Sequence, residues 1–213
     1  MSSLVDSAAR LAHAALDVFF PPHCVACGAL ASTTFCRACD ARIVRNTSVP
    51  DDVVHTCVDY EGPVMGAIRR AKYGPDEAVA RALARFLVDE VARSPLPVVG
   101  ITGITWVPAH WRRLFMRRFD LPQVLAGSLA RALAVPVVPA LRSTTWAPPR
   151  AGGARDASLA GRYAVTRAVR GETLLVVDDV VTTGATIDAA ASALESAGAT
   201  VHRFALAHTP KRL

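Results

Sequence analysis

The chain has 213 residues, 52% of them hydrophobic and 20% charged, with a formal net charge of +6. That length suits one domain of ordinary size plus a small appendage, and that composition builds a real core. No apolar run reaches the length of a membrane span, and the positive balance favours anionic partners such as phosphates, pyrophosphate or nucleic acid without choosing among them.

Residues 4–20 carry Leu4, Val5, Ala8, Leu11, Ala12, Ala15, Leu16, Phe19 and Phe20 at helical spacing, interrupted by Asp6, Arg10, His13 and Asp17. Without a basic leading region or a clear cleavage site this reads as a helix rather than a signal peptide, and the cytoplasm is the default compartment. Pro21-Pro22 then leads into Cys24-Val-Ala-Cys27 and Cys36-Arg-Ala-Cys39. Two Cys-x-x-C turns this close present four thiolates to one ion, as tetrahedral zinc requires. A disulfide pair or free thiols are the other outcomes; the doubled spacing and a reducing compartment favour zinc. With four protein ligands such a zinc is structural. The fifth cysteine, Cys57, lies in the alternating segment Val53–Val58 and is expected to be a buried core thiol.

Pro63–Lys72 reads as a short helix broken by Gly74-Pro75. Asp76 then caps a longer one, with Val79, Leu83, Phe86, Leu87 and Val91 on one face and Arg81, Arg85, Asp89 and Arg93 on the other. Ile104–Val107 reads as a strand stopped by Pro108. The basic segment Trp111–Phe119 follows, with Trp111, Phe115 and Phe119 at intervals of four and Arg112, Arg113, Arg117 and Arg118 between them. Guanidinium groups after a strand end suit bidentate phosphate contact; a solvated amphipathic helix, a membrane-surface face or a nucleic-acid face are the other readings. Pro122–Ala134 is a further helix and Val137-Val138 a short strand. Leu141–Arg170 is long and poorly patterned, as a functional lid or mobile loop is.

The most informative stretch is Leu174–Thr186. Leu174–Val177 reads as a strand buried on both faces, with Asp178 and Asp179 where that strand should end. Thr182, Thr183, Gly184, Ala185 and Thr186 form a small-residue turn, and Ile187–Ala197 a helix stopped by Gly198. A strand that delivers such a turn onto a helix N-terminus makes a phosphate site, since the first amides lack partners and the dipole favours an anion. A P-loop nucleotidase needs G-x-x-x-x-G-K-[ST] and a dinucleotide fold needs G-x-G-x-x-G; neither occurs. Thr200–Ala207 is a last strand. Alternating strands and helices give an α/β fold with a mainly parallel sheet. The expected division is 1–58, an N-terminal helix with a Cys₄ subdomain, and 59–213, the α/β domain.

The motif at 174–186 resembles the phosphoribosyl-pyrophosphate (PRPP) signature of type I phosphoribosyltransferases: four apolar residues, two acidic ones, then a Thr/Gly turn. The wider layout is similar to the ComF, competence-protein-like family. Its landmarks are the knuckle Cys24–Cys39, the pair Lys72-Tyr73, the strand end Val107–His110 with its basic segment, and this motif last. The resemblance implies that residues 182–186 wrap a 5′-phosphate and that Asp178 and Asp179 accept hydrogen bonds from ribose hydroxyls. It implies that His110, Arg112, Arg113 and Arg117 face the pyrophosphate, that Mg²⁺ accompanies PRPP, and that the arginines of 142–162 close a lid. The reaction implied is phosphoribosyl transfer to an unidentified acceptor. The alternative is a non-catalytic protein that binds PRPP and single-stranded DNA in DNA uptake, with a competence-machinery partner. The chain departs from the family pattern at Arg117-Arg118-Phe119-Asp120-Leu121, where R-G-F-N-Q is usual, and at Pro149, Arg150 and Ser158, near the usual lid glutamine and asparagine.

Overall fold

The apolar run Leu174–Val177 forms the inside of the sheet, because each of its four side chains is completely buried. The computed structural model describes residues 22–46, 54–74, 76–94, 96, 99–109, 119–144 and 161–210. The elements in chain order are α1 (Arg37–Asp40), β1 (Val54–Asp59), α2 (Gly62–Tyr73), α3 (Glu77–Arg93), β2 (Gly103–Trp106), α4 (Leu121–Ala132), β3 (Leu141–Ser143) and β4 (Tyr163–Val165). They end with β5 (Thr173–Val181), α5 (Ala185–Ser196) and β6 (Thr200–His208).

Strands β1, β6, β5 and β2 form one sheet in that order, and every pairing in it is parallel. Parallel neighbours need crossovers, and helices supply them on both faces, which is why β5 is apolar without alternation over Leu174–Val177. On one face Leu175, Val177 and Phe204 pack with Ile68 of α2, Leu83 and Leu87 of α3 and Leu125 and Leu129 of α4. On the other, Leu174 and Val176 pack with Ile187, Ala190 and Leu194 of α5, and with Leu141 and Tyr163 of the β3–β4 pair. Each such fully buried aliphatic side chain contributes about 1.5–3 kcal/mol.

The helix starting after Asp76 forms as its pattern predicts. The Asp76 carboxylate accepts the Val79 N–H at 3.1 Å, and Val79, Leu83, Phe86, Leu87 and Val91 are all buried. Glu90 is also buried, held by Arg45 at 2.9 Å and by Arg93 at 2.5 Å. The knuckle region packs into the same core: Cys24, Val25, Phe35 and Ile43 join the α2–α4 cluster, and the Phe35 and Phe86 rings meet edge to face at 4.9 Å. Strand β1 crosses the boundary expected at 58/59 and pairs with β6.

Three expectations are corrected. The strand at 174 does not end at the two carboxylates but continues to Val181, because β6 runs alongside to His208 and keeps the ladder going through Asp178–Ala205 and Val180–Ala207. The patternless 141–170 region contains the antiparallel pair β3–β4, too short to leave a period in the sequence. Val137 makes a single parallel bridge to Ile104 rather than a strand. Cys57 is half-buried at the core margin, and burial together with the Glu90 charge pushes its thiol up to about 12. The expected helix at 4–20 lies outside the described residues.

Where that bridge passes β2, Gly103 leaves no room for a side chain, since a Cβ would fall 2.4 Å from Val138 Cγ2 and 3.4 Å from Leu174 Cδ2. Gly103→Ala is therefore expected to destabilise the fold by about 1–3 kcal/mol through overpacking. A denaturant titration showing an unchanged midpoint would contradict this packing.

Candidate functional site

Among the described residues two groups of chemically active side chains are assembled. In the first, the Sγ atoms of Cys24, Cys27, Cys36 and Cys39 all lie within 4.8 Å of one another, and Cys27 and Cys36 are 3.7 Å apart. Tight turns build this cluster. The Gly28 N–H returns to the Cys24 carbonyl at 2.9 Å with Gly28 at φ +78°, and α1 starts at the second pair. Burial raises the Cys24 thiol, but backbone amides of Cys36, Cys27 and Ala26 outweigh it and bring it down to about 6. Cys39 is pushed up to about 12, by burial first and then by the neighbouring thiols. Four sulfurs so crowded, none of them in a disulfide, are a donor set that would hold one tetrahedral soft cation as thiolates.

The second group lies towards the carboxyl end of β5. Asp178 and Asp179 are only 8% and 4% exposed. Asp178 Oδ1 accepts the Asp179 N–H at 2.8 Å, and Asp179 Oδ1 accepts from Lys72 Nζ at 2.6 Å. Burial, then the Asp179 charge, hold the Asp178 carboxyl well above the usual range; Lys72 and the Asp179 amide pull the other way, and Asp120 adds to the rise. Burial pulls the Lys72 ammonium down, but the Asp179 charge and hydrogen bond, with help from Asp178 and Tyr60, leave it above its ordinary value. Asp120, the residue that departs from the family asparagine, is 5% exposed and accepts the Ala109 N–H at 3.0 Å.

Beyond Val181 the chain turns through exposed Thr182 and Thr183 to half-buried Gly184, Ala185 and Thr186. Gly184 is the N-cap of α5 at φ +83°, a conformation that favours glycine, and it offers no side-chain cap. The first bond of the helical ladder runs from the Asp188 N–H to the Gly184 carbonyl at 2.9 Å, so the amides of 185–187 precede the ladder. Asp188 Oδ1 accepts from Arg203 Nε at 3.0 Å, while its Oδ2 lies beside Gly184, 3.1 Å from where a Cβ there would sit. The arrangement suits a phosphate at the helix start and a hydroxyl-bearing sugar reaching towards the carboxylates.

His110, Arg112, Arg113 and Arg117 lie outside the described residues, as does 145–160 of the expected lid. Of the lid's ends, Arg142 is exposed and Arg162 half-buried. In sequence, Lys72 stands out only as part of a Lys-Tyr landmark and Asp120 only as a departure from the R-G-F-N-Q pattern. A lysine in the last turn of a helix and an aspartate after a basic segment carry no sequence signal of where they point. Among the described residues no helix is long and apolar enough to cross a membrane.

A parallel sheet that delivers a Thr/Gly turn and a helix N-terminus behind two acids is the plan of a phosphoribosyltransferase-type domain, and the profile described as "Phosphoribosyl transferase domain" matches residues 123–212. Among curated relatives, the DNA utilization protein YhgH of Salmonella typhi is 31% identical over 158 residues, 71% of this chain and 70% of that protein. YhgH of Escherichia coli O6:H1 is 30% identical over 161 residues, 72% of this chain and 71% of that protein. The chain belongs to the YhgH family. Among solved structures, adenine phosphoribosyltransferase from Leishmania tarentolae shares 16% identity and covers 66% of this chain and 74% of its own, at a TM-score of 0.41; a likeness that low adds nothing to the sequence matches.

The strained charge of the site gives a pH prediction. Because the folded value of Asp178 lies above its unfolded value, the group costs stability progressively as pH rises from the ordinary carboxylate range towards the raised value. Asp178→Asn keeps the acceptor for the Asp179 amide and loses that cost. It is expected to melt higher than wild type at pH 7, with the difference closing as pH falls towards 4. Melting curves with no pH-dependent gap would show that Asp178 carries no such cost.

Proposed function

We propose that this protein binds PRPP, or a closely related sugar phosphate, at the β5–α5 turn and that it is a Mg²⁺-dependent phosphoribosyltransferase of the ComF type with an unidentified acceptor. The observation that carries the reading is the uncapped start of α5 behind Gly184, with two carboxylates one turn earlier in the chain, inside a matched phosphoribosyl transferase domain. Thr182, Thr183, Gly184, Ala185 and Thr186 bind the 5′-phosphate with backbone amides and hydroxyls. Asp178 and Asp179 accept hydrogen bonds from the ribose hydroxyls. His110, Arg112, Arg113 and Arg117 take the pyrophosphate, and the arginines of the 142–162 segment close over it.

In the transfer, the bond from ribose C1 to pyrophosphate breaks as the acceptor's lone pair bonds to C1, and positive charge builds on the sugar in between. Catalysis is then positioning and charge stabilisation rather than covalent chemistry by the protein. Magnesium supplies charge neutralisation of the pyrophosphate when it is bound. The donor set suits an ion carried mainly by substrate oxygens, because Lys72 already occupies one oxygen of Asp179. Cys24, Cys27, Cys36 and Cys39 hold a structural zinc, which fits a reducing, cytoplasmic setting.

Calorimetric titration of PRPP with and without Mg²⁺, followed by a screen for pyrophosphate release across bases and amines, tests the reading. Saturable binding that needs an intact turn, and release that vanishes in Asp178→Asn/Asp179→Asn, are expected; binding without release from any acceptor would leave a ligand-binding protein. Chelation is expected to lower the melting temperature, with close to one zinc per chain by metal analysis; a metal-free chain of unchanged stability would remove the zinc.

A second reading draws on the printed name of the relatives, DNA utilization protein. Here PRPP is a ligand or regulator and the basic segment holds single-stranded DNA through stacking and phosphate contacts, in DNA uptake with a competence-machinery partner. Its mark is salt-sensitive oligonucleotide binding that is lost on replacing Arg112, Arg113, Arg117 and Arg118 with alanine. A flat titration at low salt would end it.

A further inference from the structure

That reading gives Lys72 no role towards the sugar, yet its ammonium reaches across 107 positions of sequence to Asp179 at 2.6 Å. The two side chains are 20% and 6% exposed. An ion pair this far from water is a poor device for stability alone, since desolvating two charges offsets much of their attraction. Its placement is informative, because it lies on one of the two carboxylates that lead into the phosphate turn.

The turn that carries Lys72 is held from both sides. Two residues earlier, Arg70 donates Nη1 to the Val25 carbonyl, inside the first Cys-x-x-C turn, at 2.9 Å and Nη2 to Asp76 at 3.2 Å. Two residues later, the Gly74 N–H returns to the Arg70 carbonyl at 2.8 Å, and a Cβ at 74 would come within 3.0 Å of that carbonyl oxygen. The ammonium is therefore delivered to Asp179 from a fixed support anchored on the cysteine knuckle. Asp178 from β5 and Tyr60 from the residue after β1 also act on the ammonium, and Asp120 from the residue ahead of α4 acts on Asp178.

We propose that Lys72 is the positioning residue of the sugar site: it occupies one oxygen of Asp179 and so aims the other at the ribose hydroxyls. This rests on the sugar-phosphate reading given above. Lys72 acts through Asp179 and makes no contact with the ligand. Without it, Asp179 samples several rotamers and faces Asp178 without a countercharge. Arginine keeps the charge but is longer and forked, so it replaces the ammonium only in part.

The test is calorimetric titration of ribose 5-phosphate and PRPP into the full chain and into Lys72→Met, Lys72→Arg, Asp179→Asn and Lys72→Met/Asp179→Asn, each first checked for a cooperative thermal transition. Lys72→Met is expected to weaken binding by about 10- to 100-fold, and Lys72→Arg to recover part of that. The double variant is expected to bind no more weakly than Asp179→Asn. Wild-type-like binding by Lys72→Met would overturn the proposal and leave the sugar-phosphate reading standing. So would losses that multiply in the double variant, which would put Lys72 on the ligand itself. If the wild-type chain binds neither compound, the sugar-phosphate reading falls and the positioning role falls with it. Should Lys72→Met not fold, Lys72→Arg/Asp179→Asn set against Asp179→Asn carries the same comparison, and an added loss there overturns the role.

Discussion

Two adjacent carboxylates lie within a parallel strand whose neighbours on either side are paired to it, and the ion pair from Lys72 to Asp179 is what makes that arrangement tolerable. A charge taken out of water without a partner is expensive, and two side by side more so. The structure meets the cost in two ways. Asp179 receives an ammonium, while Asp178 receives the neighbouring amide and is pushed towards its protonated form. The rest of the fold can be traced outward from this pair. Helix α2 must dock on β5 for Lys72 to reach, α3 must continue from the Asp76 cap, and the knuckle must grip Arg70 to hold the turn between them.

The cysteine cluster gains a role from the same geometry. Cys24, Val25, Phe35 and Ile43 share the apolar core of α2, α3 and α4, so the knuckle is part of the main packing rather than a bead on a linker. A metal bound by the four cysteines would stiffen residues 24–39, and with them the Val25 carbonyl on which Arg70 rests. The distance in sequence between the knuckle and the phosphate turn hides a short structural connection.

Much of this was legible beforehand where a local rule governs. The buried run 174–177, the Asp76 cap, the face of α3 and the two Cys-x-x-C turns each follow from a period, a cap or a spacing, and each is present. Legibility failed where the deciding partner is remote. The end of β5 is set by β6, which keeps pairing with it as far as Val181–His208. The β3–β4 pair consists of three residues on each strand, fewer than a period needs. Nothing in the sequence says where Lys72, Asp120 or the buried Glu90 points, and only the fold brings each to its partner. The match to a phosphoribosyl transferase domain over 123–212 supports the reading of the turn, while the basic segment at 111–118 lies outside the described residues.

The central claim is that the start of α5 and the carboxylates of β5 together form one sugar-phosphate site. A crystal structure of the full chain grown with ribose 5-phosphate tests it most directly. The account predicts the phosphate on the amides of 183–186, with the ribose hydroxyls within hydrogen-bonding distance of Asp178 or Asp179. A sugar phosphate seated elsewhere, or a phosphate on the turn with the ribose directed away from both carboxylates, would contradict it.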